Sequence, residues 1–221
     1  MKPKSSTYRS EIDGLRALAV LSVVAFHAFP TWFPGGFIGV DVFFVISGYL
    51  ISRHIFDELE KDQFSVKKFW LRRIRRLFPA LVLVLISSIL FGFFGLLPSE
   101  LKQLSKHVFS SVLFFQNFSL VGEAGYFDNS SYSKPLLHLW SLSLEEQFYF
   151  FWPIVLIIAF RFSIKIKVIC LMLTLLSFLL NVLFIKEHPI DIFYLPYGRF
   201  WELLIGAFLA WSNLNMSLIH I

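Results

Sequence analysis

The stretch EIDGLRALAVLSVVAFH, Glu11–His27, decides how the rest of the chain is read. After three charges at its start it is apolar as far as His27, which suits a helix in lipid better than one in water. Arg16 and His27 are eleven residues apart, about three helical turns, so they share one face and stand about 16 Å apart along the axis. That is roughly half a bilayer core. An ionisable histidine in such a helix is costly in lipid, so it faces protein or a wet cavity and marks a functional site by default.

Composition extends this reading to the whole chain. With 57% hydrophobic residues, 16% charged residues and a mean hydropathy of +0.69, the chain reads as an all-α, polytopic transmembrane helix bundle. About six to seven membrane segments are expected from its apolar runs. The net charge of +5 does not point to nucleic acid, because the basic residues cluster beside apolar runs, as on a cytoplasmic membrane face. The single Cys170 excludes an intrachain disulfide, and its apolar surroundings make it a packing residue.

Lys2, Lys4 and Arg9 precede the first apolar run as in a signal peptide, but Glu11, Asp13 and Arg16 at its start argue for a retained first span, Gly14 to Phe29. The turn PTWFPGG, Pro30 to Gly36, leads to a second span, Phe37 to Ile51, which carries Asp41. Two short spans joined by a tight loop form a hairpin, and this arrangement is expected to put Asp41 level with His27. Eight Lys/Arg follow between Arg53 and Arg76. The positive-inside rule makes that loop cytoplasmic, with a cytoplasmic N-terminus and the His27 level toward the outer side.

A third span covers Pro79 to Leu97. Leu104 to Val121 is apolar on average but broken by serines, Lys106, His107, Gln116 and Asn117, and is read as re-entrant or interfacial. That keeps the basic RFSIKIK, Arg161 to Lys167, on the inner side. Further spans begin at His138, whose helix carries a Ser143-x-x-Glu146 capping pattern, at Val168 and at Arg199. No soluble domain is expected, and residues 1–221 read as one membrane domain.

On this topology the polar groups fall at two depths. His27, Asp41, Glu145, Glu146, Arg199 and Glu202 lie outward, and Arg16, Arg72, Arg73, Arg75 and Arg76 lie inward. A neutral imidazole at His27 can take a proton from a sugar hydroxyl, with Asp41 or Glu145 orienting it. The arginines at i,i+3 spacing make a face for the phosphates of a large anionic cofactor, and anionic lipid head groups fit the same face. Glu146 suits helix capping, and Arg199 with Glu202 suits a structural ion pair, as well as either suits substrate binding. The histidines show no metal spacing, so no metal is expected, and no Gly-rich phosphate loop or GxSxG elbow is present.

In order, EIDGLRALAVLSVVAFH with its Arg-x10-His spacing, GVDVFFVISGYLIS, the RRIRR tract, HLWSLSLEEQFYFFWP and GRFWELLIGA closely resemble the acyltransferase 3 family of bacterial membrane proteins. That group includes O-antigen and other surface-polysaccharide O-acetyltransferases. The resemblance implies transfer of an acyl group, usually acetyl from acetyl-CoA, to a hydroxyl of a cell-surface or lipid-linked glycan. It further implies that Arg16 and His27 are the family's Arg-x10-His pair and that the RxxR arginines lie on the CoA side. Members usually carry more spans, so the chain reads as the N-terminal part of such a domain. Two other readings compete: a glycolipid or small-anion transporter using the intramembrane charges as a path, and an inactive truncated partner in glycan assembly. The absence of an inverted repeat weakens the transporter.

Overall fold

A computed structural model describes residues 10–124 and 134–219, with side chains described as far as Ser212; the Lys2–Arg9 stretch and His220 lie outside the described residues. Among the described residues every regular element is a helix. They are α1 (Ser10–Ala28), α2 (Gly39–Leu59), α3 (Val66–Gly95), α4 (Pro98–Val112), α5 (Gln116–Glu123), α6 (Leu139–Arg161), α7 (Ile166–Phe184), α8 (Pro189–Tyr194) and α9 (Pro196–Ile219). The chain is a multi-pass, all-α membrane-type protein.

Four stretches among the described residues are long and apolar enough to cross a membrane: Gly36–Leu59, Val66–Gly95, Leu139–Arg161 and Ile166–Phe184. This is fewer than the six to seven expected. α1 falls short because Glu11, Asp13 and Arg16 crowd its first turns. α9 carries Arg199 and Glu202 near its start. α4 and α5, with 15 and 8 residues, are too short for a roughly 30 Å core.

α3 begins well before the third span expected from Pro79. The basic tract is helical, and Pro79 lies inside a 30-residue helix capped by Ser65, whose hydroxyl accepts from Lys68 N. Proline removes one backbone donor, but a long helix tolerates it when its apolar faces are packed. Lys67, Lys68, Arg72, Arg73, Arg75 and Arg76 therefore ride on the same rod as the span.

The chain divides into two compact units, residues 1–53 with 202–221, and residues 54–201. In the first, α1 and the start of α2 form the expected hairpin. Its register is set by close approaches. A methyl group at Gly36 would overlap Ser22 O, one at Gly39 would overlap Ala19 O, Phe26 meets Phe37 edge-on at 5.7 Å, and the Arg16 guanidinium lies 5.5 Å from the Phe43 ring. In that register Asp41 sits level with Leu18 and Ala19. His27 lies about eight residues further along, roughly 12 Å by helical rise, so the expected match of Asp41 with His27 does not hold. The linking turn consumes residues up to Gly36, which moves α2 down against α1.

The same unit contains a tight helix crossing. A Cβ on Gly48 would overlap Leu203 O, and one on Gly206 would overlap Val45 O and Tyr49 N, so the two backbones touch without side chains between them. Gly48→Ala should force these helices apart and cost about 1–3 kcal/mol, as overpacking does. Thermal melting in detergent measures this, and an unchanged Tm would show that the crossing yields freely.

In the second unit α3 and α6 are antiparallel. Arg73 pairs with Glu146, Trp70 stacks on Phe150 and donates to Tyr149 O, and Leu81 and Leu85 share a core with Leu136, flanked by Leu139 and Leu142. The C-terminal end of α3 and the start of α6 thus face one side. α4 doubles back along α3, with Leu104 beside Gly92 and Phe114 edge-on to Phe78. α5 then turns back so that Glu123 meets Gln103 and His107. α4 and α5 thus form a helical hairpin that contains Leu104 to Val121. α7 holds the start of α9 through polar groups: Ser177 Oγ donates to Tyr197 O, and Asn181 Nδ2 donates to Gly198 O.

Candidate functional site

Arg73 is the residue around which the site in the second unit forms. Its guanidinium donates to Glu146 Oε1 at 2.8 Å and lies 4.3 Å from the centre of the Tyr149 ring. Both partners come from α6, so one antiparallel contact between α3 and α6 buries a charge by neutralising it and covering it with an aromatic face. A cavity of about 440 Å³ opens beside the pair, lined by Trp70, Arg73 and Ile74 from α3, by Glu146, Gln147, Tyr149, Phe150 and Phe151 from α6, and by Leu113, Phe114 and Phe115 from the tip of the α4–α5 hairpin. Its walls are mostly aromatic, with one ion pair and one amide for orientation, as in small-molecule sites generally.

The hairpin tip is held by an amide network. Gln147 Nε2 donates to Phe114 O at 2.7 Å and to Asn117 Oδ1 at 2.9 Å, and Asn117 Nδ2 donates to Tyr194 O at 3.0 Å. Asn117 is fully buried, so these bonds form away from water, where an unmet amide would be costly. They also hold Phe114 in the left-handed region, φ 56°, which a bulky residue rarely adopts.

The arginines of the RRIRR tract do not act alike. Arg72 turns toward α2, where its guanidinium donates to both carboxylate oxygens of Glu58, at 2.9 and 3.1 Å, and lies 3.0 Å from His54 Nε2. Arg73 faces Glu146, and Arg75 and Arg76 are exposed. The division follows from helical geometry, because neighbours on a helix point about 100° apart.

Glu146 corrects two expectations. It lies eight residues into α6 rather than at a helix start, and the cap position is taken by His138, so Ser143-x-x-Glu146 is not a capping box here. Its ion pair with Arg73 also joins a residue assigned to the outer depth with one assigned to the inner depth. The reason is stagger: α6 begins level with the middle of α3, so its first two turns sit low against the arginine-bearing end. Glu145, one residue earlier, is buried.

In the first unit, His27 is exposed near the end of α1, with Nδ1 2.8 Å from Val23 O and its ring edge-on to Phe26 at 5.0 Å. A carbonyl oxygen only accepts, so Nδ1 carries the proton and Nε2 is the basic nitrogen of the neutral ring. Arg16 pairs loosely with Asp13 at 3.8 Å and lies over Phe43, and Asp41 is half-buried. Arg199 stacks over Trp140 and Phe193 at 5.8 and 5.5 Å, and Glu202 is buried. Among the described residues no group of three or more His, Cys, Asp or Glu is arranged to hold a metal.

Sequence reasoning missed Gln147 and Asn117, and it missed a charge cluster at the open end of the hairpin. There Glu123 accepts from Lys106 at 2.9 Å and from His107 Nε2 at 2.8 Å, with Lys134 Nζ 3.3 Å away. Burial pushes the Glu123 carboxyl up, but hydrogen bonds from Lys106, His107 and Gln103 outweigh it and hold the carboxyl at about 2. The polar breaks in Leu104 to Val121 were the visible trace of this cluster, but nothing local says that residue 107 meets residue 123.

Comparison with known proteins agrees with this architecture. The chain matches the acyltransferase 3 family model, an acyltransferase domain, over residues 9–215. It is 37% identical over 213 residues to peptidoglycan O-acetyltransferase OatA of Listeria monocytogenes, a match covering 93% of this chain and 34% of that protein. It is also 37% identical over 227 residues to YrhL of Bacillus subtilis, with 98% of this chain and 35% of that protein covered. An uncharacterized protein of Haemophilus influenzae is 39% identical over 187 residues, 80% of this chain and 76% of its own length. The chain thus spans about a third of the length of the first two relatives. No solved structure matches it. A family match over nearly the whole chain, on a helical membrane bundle that keeps the arginine tract beside an aromatic cleft, places this protein in the acyltransferase 3 family.

Proposed function

We propose that this chain is an O-acyltransferase unit that takes an acyl group, acetyl first among them, from acyl-CoA and passes it to a hydroxyl of a cell-envelope glycan. The observation that carries this reading is the aromatic cleft at the arginine-bearing end of α3. A thioester donor combines a long, weakly polar arm with several phosphates. The cleft suits the arm, and the exposed Arg75 and Arg76, with Lys67 and Lys68 on the same end of α3, suit the phosphates. Arg73 retains a buried Nε without a hydrogen-bond partner among the described residues, a donor fitted to a carbonyl oxygen.

By the positive-inside rule that end of α3 faces the cytoplasm, where acyl-CoA is made, which makes the membrane the bacterial inner one. His27 is the general base: Nε2 takes the proton of the acceptor hydroxyl as that oxygen bonds to the acyl carbon, the thioester C–S bond breaks, and the proton passes on to the departing CoA sulfur so that CoA leaves as the thiol; Val23 O orients the ring. Two relatives carry peptidoglycan O-acetyltransferase in their names, so peptidoglycan is the first acceptor to test, ahead of O-antigen.

The test is to incubate membranes containing the chain with radiolabelled acetyl-CoA and follow label into envelope glycan. Label that appears in glycan and is lost with His27→Ala supports the reading; uptake of an intact glycolipid or anion without acylation would support the transporter instead. The arginines make a sharper prediction. Arg75→Ala with Arg76→Ala should weaken acetyl-CoA binding about tenfold or more, the size expected when charged hydrogen bonds to phosphate are lost. Arg72→Ala should leave that affinity within about twofold, because this side chain is spent on Glu58. Equilibrium binding of labelled acetyl-CoA in detergent measures both, and a larger loss from Arg72 than from the Arg75/Arg76 pair would reverse the assignment.

A further inference from the structure

Of the cleft's three walls, two are built from continuous helices, α3 and α6, and the third is the turn between α4 and α5. The turn is the one wall not built from a continuous helix. The cleft, at about 440 Å³, has to take the thioester arm and the acyl group together, so the length of acyl chain it admits depends on what closes its far end. Phe114 is placed to close that end. Its ring packs edge-on against Phe78 at 6.2 Å and lines the cavity, and its backbone is fixed by the Gln147 bond to its carbonyl and by Asn117 three residues on. The left-handed backbone at Phe114 is a conformation that glycine or asparagine adopts more cheaply, so an aromatic ring there is retained at a cost.

We propose that the tip of the α4–α5 hairpin is the end wall of the donor cleft, that the Phe114 ring limits the length of acyl chain admitted, and that Gln147 is a positioning residue holding that wall. This rests on the reading of the cleft as the acyl-CoA site. The occupant is the acyl chain because the apolar walls lead away from a cationic end of α3, the order of polarity along an acyl-CoA.

The experiment compares binding and turnover of acetyl-, butyryl- and hexanoyl-CoA by the full chain in membranes. Phe114→Ala should raise the hexanoyl-to-acetyl ratio of kcat/KM, and of affinity, by about tenfold or more, since a methylene or two in an apolar pocket commonly changes selectivity by that factor. Phe114→Leu should shift the ratio in the same direction but less, which keeps the test open if the alanine variant inserts poorly. Gln147→Ala should blunt selectivity for both longer donors while Gln147→Asn, which keeps an amide, restores part of it. Phe109→Ala, on the exposed face of α4 away from the cleft, should leave the ratio unchanged. A ratio that stays within twofold in both Phe114 variants, while acetyl-CoA still binds, overturns the end-wall assignment alone. Failure of the unaltered chain to bind any acyl-CoA overturns the donor reading and the end wall with it.

Discussion

His27→Gln should lower acyl transfer by about 10²- to 10⁴-fold, the usual contribution of a positioned general base, while expression and membrane insertion stay near normal. The argument is atomic. Nδ1 sits 2.8 Å from Val23 O, so the neutral ring carries its proton there and Nε2 is the basic nitrogen. Glutamine offers hydrogen-bonding atoms of similar reach but cannot take a proton near neutral pH. His27 is also exposed on α1, so its replacement should disturb the fold little. Label transfer from acetyl-CoA, read beside insertion, separates the two effects. A glutamine variant that acylates at close to the normal rate would reduce His27 to a hydrogen-bonding group. Asp41→Asn should cost far less than His27→Gln, since the hairpin register puts Asp41 about two helical turns away from the imidazole.

Glu123→Gln should cost about 3 kcal/mol of stability, because it strips the counter-charge from Lys134, which is out of water. Lys134, 3% exposed, and His107, 1% exposed, both meet this carboxylate, and Lys106 and Gln103 complete the cluster. Hydrogen–deuterium exchange across α4 and α5 should rise first, since Glu123 ties the two helices together opposite the tip. The pH dependence has a definite sign. The folded carboxyl, at about 2, lies below its ordinary value of 4.5, so its stabilisation is complete above pH 4.5 and is lost as pH falls from 4.5 toward 2. Lys134→Met, which removes the buried charge with its need for a partner, should partly rescue Glu123→Gln. Absence of rescue would mean that the loss comes from Lys106 and His107.

Much of the framework was legible because it rests on composition and local period. The membrane class, the helical spans, the first hairpin and the polar breaks of Leu104 to Val121 all follow from where apolar runs stop and polar residues interrupt them. The arginine tract was legible as a group, but its division was not: Arg72 is claimed by Glu58 and Arg73 by Glu146, and neither partner is near in sequence. The Ser143-x-x-Glu146 pattern misled for a related reason, since a capping box needs a helix to begin there and α6 begins at Leu139.

By itself the sequence determined what must leave water and which residues carry chemistry, because transfer free energy and helical period depend only on residue type and spacing. The tertiary structure alone decided the vertical stagger of the helices. That stagger set Glu146 on Arg73, moved Asp41 away from His27, and brought Phe114 to the end of the cleft. Stagger arises from side chains interlocking across helices, as where Gly39 admits Ala19 or Leu104 fits against Gly92, and such contacts between distant residues leave no period in the chain.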